Sequence, residues 1–433
     1  MRQGVQDLRY LAELARGGRG TRRQLEELRQ RRLALVLQSA ATRVPYYRSK
    51  LKPSYVFRHP KDVSGILSEI PVSRKEDLRQ RRATELLDEL CNPRRRLTAY
   101  TTTGSTGVPF TVFKSPLEDL VAHFLRWRVV RGYGLRRGST ILRLPAGRRR
   151  PRYWGLAGLL GGYRNVDLNL TDPPKDIASE IRKEKPTVVI GNAGVLARVG
   201  RELREEGALE PVPDFVVASA EVLTPSMREM ITRGFGCRVF DSYNCVEAMH
   251  PVAWECPETG LFHVGDDSVI VEVLQGGRPA SEGEEGEVVL TSLLSRAMPV
   301  IRWSQGDLAV PGPATCPCGS PYSTLRRITG RMTDYLQLAD GRELFASALA
   351  YVLHRSAGWI LQYQIIQETR TLIRLRASTC RQPGDLELNS LRMELERLTG
   401  PGTVVRVELC RQLEPEAGGK FRVLWSRLRS PYD

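Results

Sequence analysis

The stretch TVVIGNAGVLARVGRELREEGALEPVPDFVVAS, residues 187–219, places two short apolar runs on either side of a helical pattern. TVVIG and FVVAS are typical of buried strands, and GVLARVGRELREEG between them has the spacing of a helix. A strand, a helix and a second strand in this order predict a parallel pair joined by a crossover helix. The stretch therefore favours an α/β fold with a largely parallel sheet.

Further runs of both kinds flank this stretch. The additional predicted strands are STILRL (139–144), CRVFDSY (237–243) and a pair in a β-rich section, SVIVEVL (268–274) and GEVVLTSL (286–293). The additional predicted helices are PLEDLVAHFLRWRVVR (116–131), with Pro116 near its start, and PKDIASEIRKEK (174–185). Charge and helical spacing also predict helix within residues 5–40, ended by VPYYR at 44–48. Together these runs predict a large α/β region with mixed and parallel sheets.

The pattern changes after about residue 332. The predicted elements there are a helix in LFASALAYVLHRS (344–356), strands in ILQYQIIQET (360–369) and TLIRLRAS (371–378), a helix in GDLELNSLRMELERLTG (384–400) and a strand in VVRVELC (404–410). About 100 residues of this kind make a small α+β domain. We therefore predict two domains, residues 1–332 and residues 333–433.

The chain has 433 residues and a formal net charge of +16. A polyanionic partner would explain this charge, and so would a general preference for arginine combined with anionic small substrates. The basic residues are spread along the chain and are not interleaved with aromatic residues, so nucleic acid is disfavoured. No apolar run approaches the ~20 residues of a membrane span. The first long apolar run, LALVLQSAA at 33–41, lies too far along the chain for a secretory signal, so we expect a cytoplasmic protein.

The loop TTTGSTGVPF, residues 101–110, combines hydroxyl side chains with two glycines. Backbone amides that glycine leaves accessible, together with Thr and Ser hydroxyls, can hold a phosphate chain. A Walker A loop is excluded because Gly104 is not followed by its Gly-Lys-Ser/Thr element. A loop of this composition is more often a simple turn, so it predicts a phosphate site only if other motifs accompany it.

Four further motifs follow in order along the chain. They are FDSYNCVEAMH (240–250), MPVIRWSQGDLA (298–309), ITGRMTDYLQLADGRE (328–343) and GGKFRV (418–423). With the loop at 101–110, their order and separation resemble the adenylate-forming (acyl- and aryl-CoA synthetase) superfamily. The branch most resembled is that of phenylacetate–CoA ligase and its CapK-like relatives in capsule biosynthesis. The resemblance covers nearly the whole chain and implies an active ligase with a large AMP-binding domain and a small mobile C-terminal lid.

The resemblance implies a set of nucleotide-binding residues. Tyr243 would stack on the adenine of ATP, with Asp241 near the adenine amino group, and Asp307 would bind both ribose hydroxyls, which suits a carboxylate with two acceptor oxygens. The residues that would hold the β- and γ-phosphates are Thr102, Thr103, Ser105, Thr106 and Gly107.

The resemblance also implies three catalytic residues. Glu247 would lie beside Mg²⁺, which prefers carboxylate oxygen, and Arg331 would contact the ribose and phosphates. Lys420, in a glycine-rich loop, would stabilise the charge on the carboxylate and α-phosphate in the transition state. Two positions depart from the superfamily pattern: Val246 replaces a hydroxyl residue, and Thr333 replaces the first of two hinge acids.

A second candidate site comprises Cys256 and His263 in WECPETGLFHV together with Cys316 and Cys318 in TCPCG. Three thiolates and an imidazole form a closed tetrahedral set of the kind that holds structural zinc. The spacing is not that of a standard zinc finger, so unrelated cysteines explain it equally well, and Cys245 or His250 would be nearby substitutes. Structural zinc in some members of the resembled branch raises the expectation of a metal here.

The implied reaction uses ATP and Mg²⁺ to convert a carboxylic acid, an aromatic one being the first expectation, into an acyl-adenylate and pyrophosphate. The acyl group then passes to a nucleophile, with CoA as the first expectation and an amine or a separate carrier protein as the alternative. A non-catalytic nucleotide-binding scaffold and a nucleic-acid-binding protein remain alternatives of other classes. The implied partners are small molecules, and a homodimer is left open.

Overall fold

The strand–helix–strand unit predicted between residues 187 and 219 is confirmed. Strand Val188–Asn192 and strand Phe215–Ser219 pair in parallel, and helix Ala193–Glu205 joins them. The side chain of Asn192 begins the helix because its Oδ1 accepts the amide hydrogens of Gly194 and Val195 at 3.0 and 3.3 Å. The apolar side chains of both strands are buried except that of Ile190, which is partly exposed, and this burial is why the runs contain hardly any polar residues.

The structure is a computed structural model. It describes residues 20–51, 65–74, 77–78, 80–91, 97–102, 110–145, 162–170, 172–249, 251–331, 335–341, 343–345, 349, 352–353, 357, 359–414 and 423–428.

The helices and strands of these residues are numbered along the chain. The helices are α1 Arg22–Arg43, α2 Pro45–Arg48, α3 Ala83–Leu86, α4 Pro116–Gly132, α5 Pro174–Glu184, α6 Ala193–Glu205, α7 Pro225–Phe235 and α8 Asp385–Thr399. The strands are β1 Ser73–Arg74, β2 Thr98–Thr102, β3 Phe110–Lys114, β4 Thr140–Arg143, β5 Arg164–Asp167, β6 Val188–Asn192, β7 Phe215–Ser219, β8 Arg238–Tyr243, β9 Ala253–Glu255, β10 Phe262–Val264, β11 Val269–Gln275, β12 Arg278–Pro279, β13 Gly286–Ser292, β14 Trp303–Pro311, β15 Thr324–Arg331, β16 Tyr335–Gln337, β17 Glu343–Phe345, β18 Ile360–Thr369, β19 Leu372–Thr379, β20 Val404–Leu409 and β21 Leu424–Ser426.

The chain forms two compact units. The first unit contains residues Met1–Leu135 and Ser242–Ile328, and the second contains Arg136–Asp241 and Thr329–Asp433. Both units therefore combine an early and a late part of the chain. The predicted division into domains 1–332 and 333–433 stays a prediction.

The parallel strands lie in the second unit. There the strand order is β5-β4-β6-β7-β8, and β4, β5, β6 and β7 pair in parallel, as predicted. Helices α5, α6 and α7 bury their apolar faces in one hydrophobic core with β6 and β7. Helices α6 and α7 cross closely, because a Cβ atom built on Gly234 would lie only 1.9 Å from the carbonyl oxygen of Gly200. Glycine is required at this crossing.

The late part of the second unit contains the predicted small α+β arrangement. Its four-stranded sheet has the order β20-β19-β18-β21, in which β18 and β19 form an antiparallel hairpin and β20 and β21 add in parallel. Helix α8 contributes Leu391 and Leu395 to its core. The helix predicted to begin at Leu344 is wrong at its start, because Leu344 pairs with Leu336 in the β16–β17 hairpin.

The first unit is mainly antiparallel. Its strands follow the order β12-β11-β13-β14-β15-β10-β9, and β9 pairs with Ser242 and Tyr243 at the end of β8. The predicted pairing of SVIVEVL with GEVVLTSL is present as β11 and β13. Helix α4 begins as predicted with Pro116 in its first turn, after a capping box made by Ser115 and Glu118.

Among the residues that the structure describes, no helix has the length and apolar character needed to cross a membrane.

Candidate functional site

The end of β8 and the middle of β14 come together in the first unit. The Tyr243 hydroxyl donates a hydrogen bond of 2.5 Å to Oδ2 of Asp307, and Nε2 of Gln305 donates to the same oxygen at 2.7 Å. Asp307 is 5% exposed. Desolvation of the Tyr243 hydroxyl, followed by the negative charge of Asp307, raises the pKa of this phenol well above its usual value. Tyr243 therefore stays protonated and acts as a donor to the carboxylate.

An ion pair between buried Arg302 and partly exposed Glu272 fixes the start of the segment that carries Asp307. Arg302 donates two hydrogen bonds of 3.0 Å to the carboxylate oxygens of Glu272 and one of 2.6 Å to the carbonyl oxygen of Ile70. Its backbone has a φ of 44°, which costs a non-glycine residue on the order of 1 kcal/mol and persists only where surrounding contacts impose it. The side-chain contacts of Arg302 supply that constraint, so this arginine is a positioning residue for residues 303–307.

Glu247 follows β8 by four positions and is 3% exposed. The Cys245 thiol donates a hydrogen bond of 3.3 Å to Oε2 of Glu247. Burial first, and then the charge of Glu247, raises the pKa of this thiol well above its usual value. Cys245 is therefore a neutral donor to the carboxylate. The sequence predicted Glu247 as a site residue but gave no signal that Cys245 would be its hydrogen-bond partner.

Lys114, at the end of β3, was not among the predicted functional residues. Its side chain is buried, and its Nζ lies 5.3 Å from the centre of the Tyr100 ring. Burial and the charge of Arg126 lower the pKa of Lys114 to about 8, against the opposing influence of Glu118 and Asp119. Lysine is usually a surface residue, so periodicity alone gave no signal for a buried ammonium group here.

The other predicted nucleotide-site residues are described only in part. Asp241 lies on β8 two residues before Tyr243, so both side chains face the same side of the strand. Thr102 ends β2 opposite Phe110 on β3, and Arg331 ends β15, but their side chains lie outside the described residues. Also outside them are Thr103, Ser105, Thr106, Gly107, Thr333 and Lys420.

The four predicted metal ligands are brought together in the first unit. The ligand atoms of Cys256, His263, Cys316 and Cys318 all lie within 4.8 Å of one another. The sulfur atoms of Cys256 and Cys316 are 3.8 Å apart, and Sγ of Cys318 is 3.4 Å from Nε2 of His263. None of the four forms a disulfide. His250, named as a substitute ligand, lies outside the described residues, and Cys245 is occupied with Glu247.

The local backbone explains why these ligands converge. Antiparallel pairing of β9 with β10 places Cys256 and His263 on adjacent chain segments, and β10 pairs with β15 next to the turn that carries the other two cysteines. That turn closes through a hydrogen bond from the Gly319 amide to the Cys316 carbonyl. Zinc–sulfur bonds of about 2.3 Å in a tetrahedron separate two sulfur atoms by about 3.8 Å. The donor set and its spacing thus fit a zinc ion.

Comparison with known proteins adds a sequence relationship over most of the chain. No protein-family model matches the chain. It is 27% identical over 372 residues to the phenylacetate–coenzyme A ligase of Thermus thermophilus, covering 80% of this chain and 78% of that protein. It is 28% identical over 362 residues to the phenylacetate–coenzyme A ligase of Escherichia coli, covering 75% of each. These relatives support the assignment of the chain to the adenylate-forming superfamily. The five ordered motifs of the sequence had predicted this relationship.

Solved structures of the superfamily share its fold. The structure of a 2-hydroxyisobutyryl-CoA ligase in the postadenylation state, bound to an acyl-adenylate, matches with a TM-score of 0.73. The match covers 91% of this chain and 88% of that one at 21% identity. The mixed α/β architecture of the chain therefore matches the fold of adenylate-forming CoA ligases.

Proposed function

We propose that the protein is an AMP-forming acid ligase that activates a carboxylic acid with ATP and transfers the acyl group to coenzyme A. The contact between Tyr243 and Asp307 carries the proposal, because it joins the two motifs that would hold the adenine and the ribose of one nucleotide. Each oxygen of a carboxylate accepts more than one hydrogen bond, so the bond from Tyr243 leaves Asp307 able to accept from ribose hydroxyls.

The first half-reaction forms the acyl-adenylate. An oxygen of the substrate carboxylate attacks the α-phosphorus of ATP, a new phosphorus–oxygen bond forms, and the bond to the bridging oxygen breaks to release pyrophosphate. The proposed role of Lys420 is to stabilise the negative charge that accumulates on the carboxylate and α-phosphate. Arg331 is proposed to contact the ribose and phosphates. The residues proposed to hold the β- and γ-phosphates are Thr102, Thr103, Ser105, Thr106 and Gly107.

The second half-reaction transfers the acyl group. The sulfur of coenzyme A attacks the acyl carbon, the carbon–oxygen bond to AMP breaks, and the thiol proton leaves to solvent. Coenzyme A is the proposed acceptor because both curated relatives reported above are coenzyme A ligases. The C-terminal residues 333–433 are proposed to move between the two half-reactions, as a gating step.

Magnesium and zinc have separate proposed places. Glu247 would hold Mg²⁺, which supplies charge neutralisation for the phosphates when it is bound. Cys256, His263, Cys316 and Cys318 would hold a structural zinc ion that links the β9–β10 hairpin to the turn before β15. A site closed by four protein ligands leaves no position for substrate, so this zinc would stabilise the first unit and take no part in the reaction.

The function is tested by ATP–pyrophosphate exchange in the presence of Mg²⁺ over a panel of aryl, hydroxy, fatty and amino acids. We expect exchange that depends on one class of acid. In Lys420→Ala the rate of exchange should fall at least about 100-fold, because removing one donor that stabilises a transition state typically lowers kcat by that factor. Adding coenzyme A, hydroxylamine or a carrier protein to the responsive reaction then identifies the acceptor. ATP binding without exchange for any acid, or equal exchange by wild type and Lys420→Ala, would contradict the proposal.

A further inference from the structure

A cleft of about 790 Å³ lies in the second unit. One wall is formed by residues of α6 and α7 between positions 200 and 233. The other is formed by residues 379–382 and 409–411, at the ends of β19 and β20, and by Leu353, Ala357, Ile360, Leu361 and Tyr363. Of the residues assigned above to ATP, Mg²⁺ or zinc, none that the structure describes lines it. The volume is within the range of about 300–1,000 Å³ that is typical of small-molecule sites.

The cleft is strongly basic. Its lining contains five arginines and only two acids. These residues are Arg201, Arg204, Arg233, Arg381 and Arg411, with Glu205 and Glu229. Arg201 pairs with Glu205, Arg233 with Glu229, and Arg381 with Glu387.

Two of the arginines are available to a ligand. Within the part of the chain that the structure describes, the side chains of Arg204 and Arg411 have neither an ion pair nor a hydrogen bond. Helix α7 begins at Pro225 beside the same cleft, and a helix N-terminus adds partial positive charge. The cleft therefore presents uncompensated positive charge to any molecule that enters it.

The rest of the lining is apolar and includes one unused hydrogen-bond donor. Leu353, Ile360 and Tyr363 are buried, and Leu361 and Met230 are partly exposed beside them. Tyr363 is 7% exposed, and its hydroxyl has no hydrogen-bond partner among the described residues. Burial raises the pKa of this phenol, so the hydroxyl stays protonated. The hydroxyl oxygen is not among the fully buried side-chain atoms that lack a partner, so it is reachable from the cleft and can donate to a molecule bound there.

We infer that this cleft binds a small amphiphilic anion, a molecule with a phosphate, sulfonate or carboxylate group beside an apolar body. Arg204 and Arg411 neutralise the anionic group, Tyr363 donates a hydrogen bond to it or to a neighbouring oxygen, and the apolar side chains contact the body. Charge-assisted hydrogen bonds from arginine are the strongest contacts available to such a group. Arg204 and Arg411 are exposed to solvent, so a neutral apolar molecule would gain nothing from their charge.

The site has a consequence for the second unit. Its ligand touches helices α6 and α7 on one side and the sheet of β18, β19 and β20 on the other. A ligand that binds only when both walls are in place stabilises that arrangement by mass action. Saturating ligand is therefore expected to raise the thermal midpoint of wild-type protein.

The test is fluorescence titration with 8-anilinonaphthalene-1-sulfonate, an anionic probe with an aromatic body. The double variant Arg204→Gln/Arg411→Gln is expected to weaken its binding at least tenfold, and Tyr363→Phe severalfold. Arg392→Gln, which changes an exposed arginine of α8 outside the cleft, is the matched control and should leave binding unchanged. The neutral probe N-phenyl-1-naphthylamine should not distinguish wild type from the arginine double variant.

The assay needs no turnover, so it is independent of the proposed ligase activity. Equal binding of the anionic probe by wild type, the double variant and Tyr363→Phe would overturn the inference, as would equal weakening for the neutral probe. Competition then identifies the source of the anion. If octyl phosphate displaces the probe and coenzyme A does not, the result supports a separate ligand. If coenzyme A displaces the probe as well, the result supports binding of the cosubstrate's phosphates. If neither compound displaces the probe, the result contradicts the site.

Discussion

The Tyr243 hydroxyl and the Asp307 carboxylate form a hydrogen bond of 2.5 Å although 64 positions separate them in the chain. The contact is possible because Tyr243 ends β8 and Asp307 lies within β14, both in the first unit. Gln305 donates to the same oxygen and so prevents the carboxylate from rotating freely. The two side chains are thus held in place before any nucleotide arrives.

The first prediction separates the roles of this pair. Asp307→Ala is expected to raise the KM for ATP at least about tenfold, because hydrogen bonds to a charged group contribute about 1.5–3 kcal/mol. Tyr243→Phe keeps the ring that would stack on adenine and loses only the hydroxyl, so an increase of about fivefold is expected, equivalent to about 1 kcal/mol. ATP–pyrophosphate exchange at varied ATP measures both.

Tyr133→Phe is the control for this pair. Its hydroxyl also donates a hydrogen bond within the first unit, of 2.8 Å, but to the carbonyl oxygen of Glu255 on β9. The KM for ATP should not change in this variant. If Tyr243→Phe raises the KM for ATP as much as Asp307→Ala does, the hydroxyl and not the ring is the main contribution of Tyr243 to ATP binding.

Much of the fold followed from the sequence, for a physical reason. Strand Phe215–Ser219 was predicted to the residue because all of its apolar side chains are buried, and α4 because Ser115, Pro116 and Glu118 form a start signal that depends only on local geometry. The helix predicted from Leu344 failed at its start, because pairing with β16 overrides the local helical pattern there. Long-range strand pairing of this kind has no local signature.

The site was less accessible from sequence than the fold. Residue types and motif order selected Tyr243, Glu247 and Asp307, but the partners Cys245 and Gln305 depend on three-dimensional geometry. Lys114 was missed because a buried lysine contradicts the usual distribution of charged residues.

The second prediction concerns the metal site. Purified protein should contain one zinc ion per chain, and Cys316→Ser should lose it, because the remaining three ligands bind zinc far more weakly than a closed set of four. The thermal midpoint should fall by several degrees in this variant and on treatment with a strong chelator. Elemental analysis and thermal denaturation measure the two effects.

Cys380→Ser provides the matched control, because Cys380 is an exposed free cysteine of the second unit. It should keep its zinc and its thermal midpoint. Wild-type protein without stoichiometric zinc after expression in zinc-supplemented medium would rule out the structural metal.

The third prediction tests the close crossing of α6 and α7. Gly234→Ala should lower the free energy of unfolding by about 3 kcal/mol, because the new methyl group overlaps the Gly200 carbonyl and forces the helices apart. The higher helix propensity of alanine, worth about 1 kcal/mol, is too small to offset this. Gly132→Ala is the control in α4, since nothing lies within 4 Å of its added methyl group, and it should be neutral or slightly stabilising. Equal denaturation midpoints for the two variants would contradict the tight crossing.

The fourth prediction uses the buried Lys114, whose pKa is lowered from 10.5 to about 8. Between these two values the unfolded chain binds more protons than the folded protein, so this residue makes stability rise with pH across that window. Below pH 8 the folded protein must carry the charge in a buried position, at a cost of about 3 kcal/mol. Lys114→Met removes that cost, so the variant should be more stable than wild type at pH 7, and the difference should shrink by pH 10.

Urea denaturation of both proteins at pH 7, 8, 9 and 10 measures this difference directly. Other groups titrate in the same range, but they are common to both proteins and cancel in the comparison. Lys175→Met, which replaces an exposed lysine of α5, should give a difference from wild type that is small and independent of pH. If Lys114→Met is less stable than wild type by a constant amount at every pH, the charges of Glu118 and Asp119 hold the ammonium more strongly than burial opposes it, and the lowered pKa is wrong.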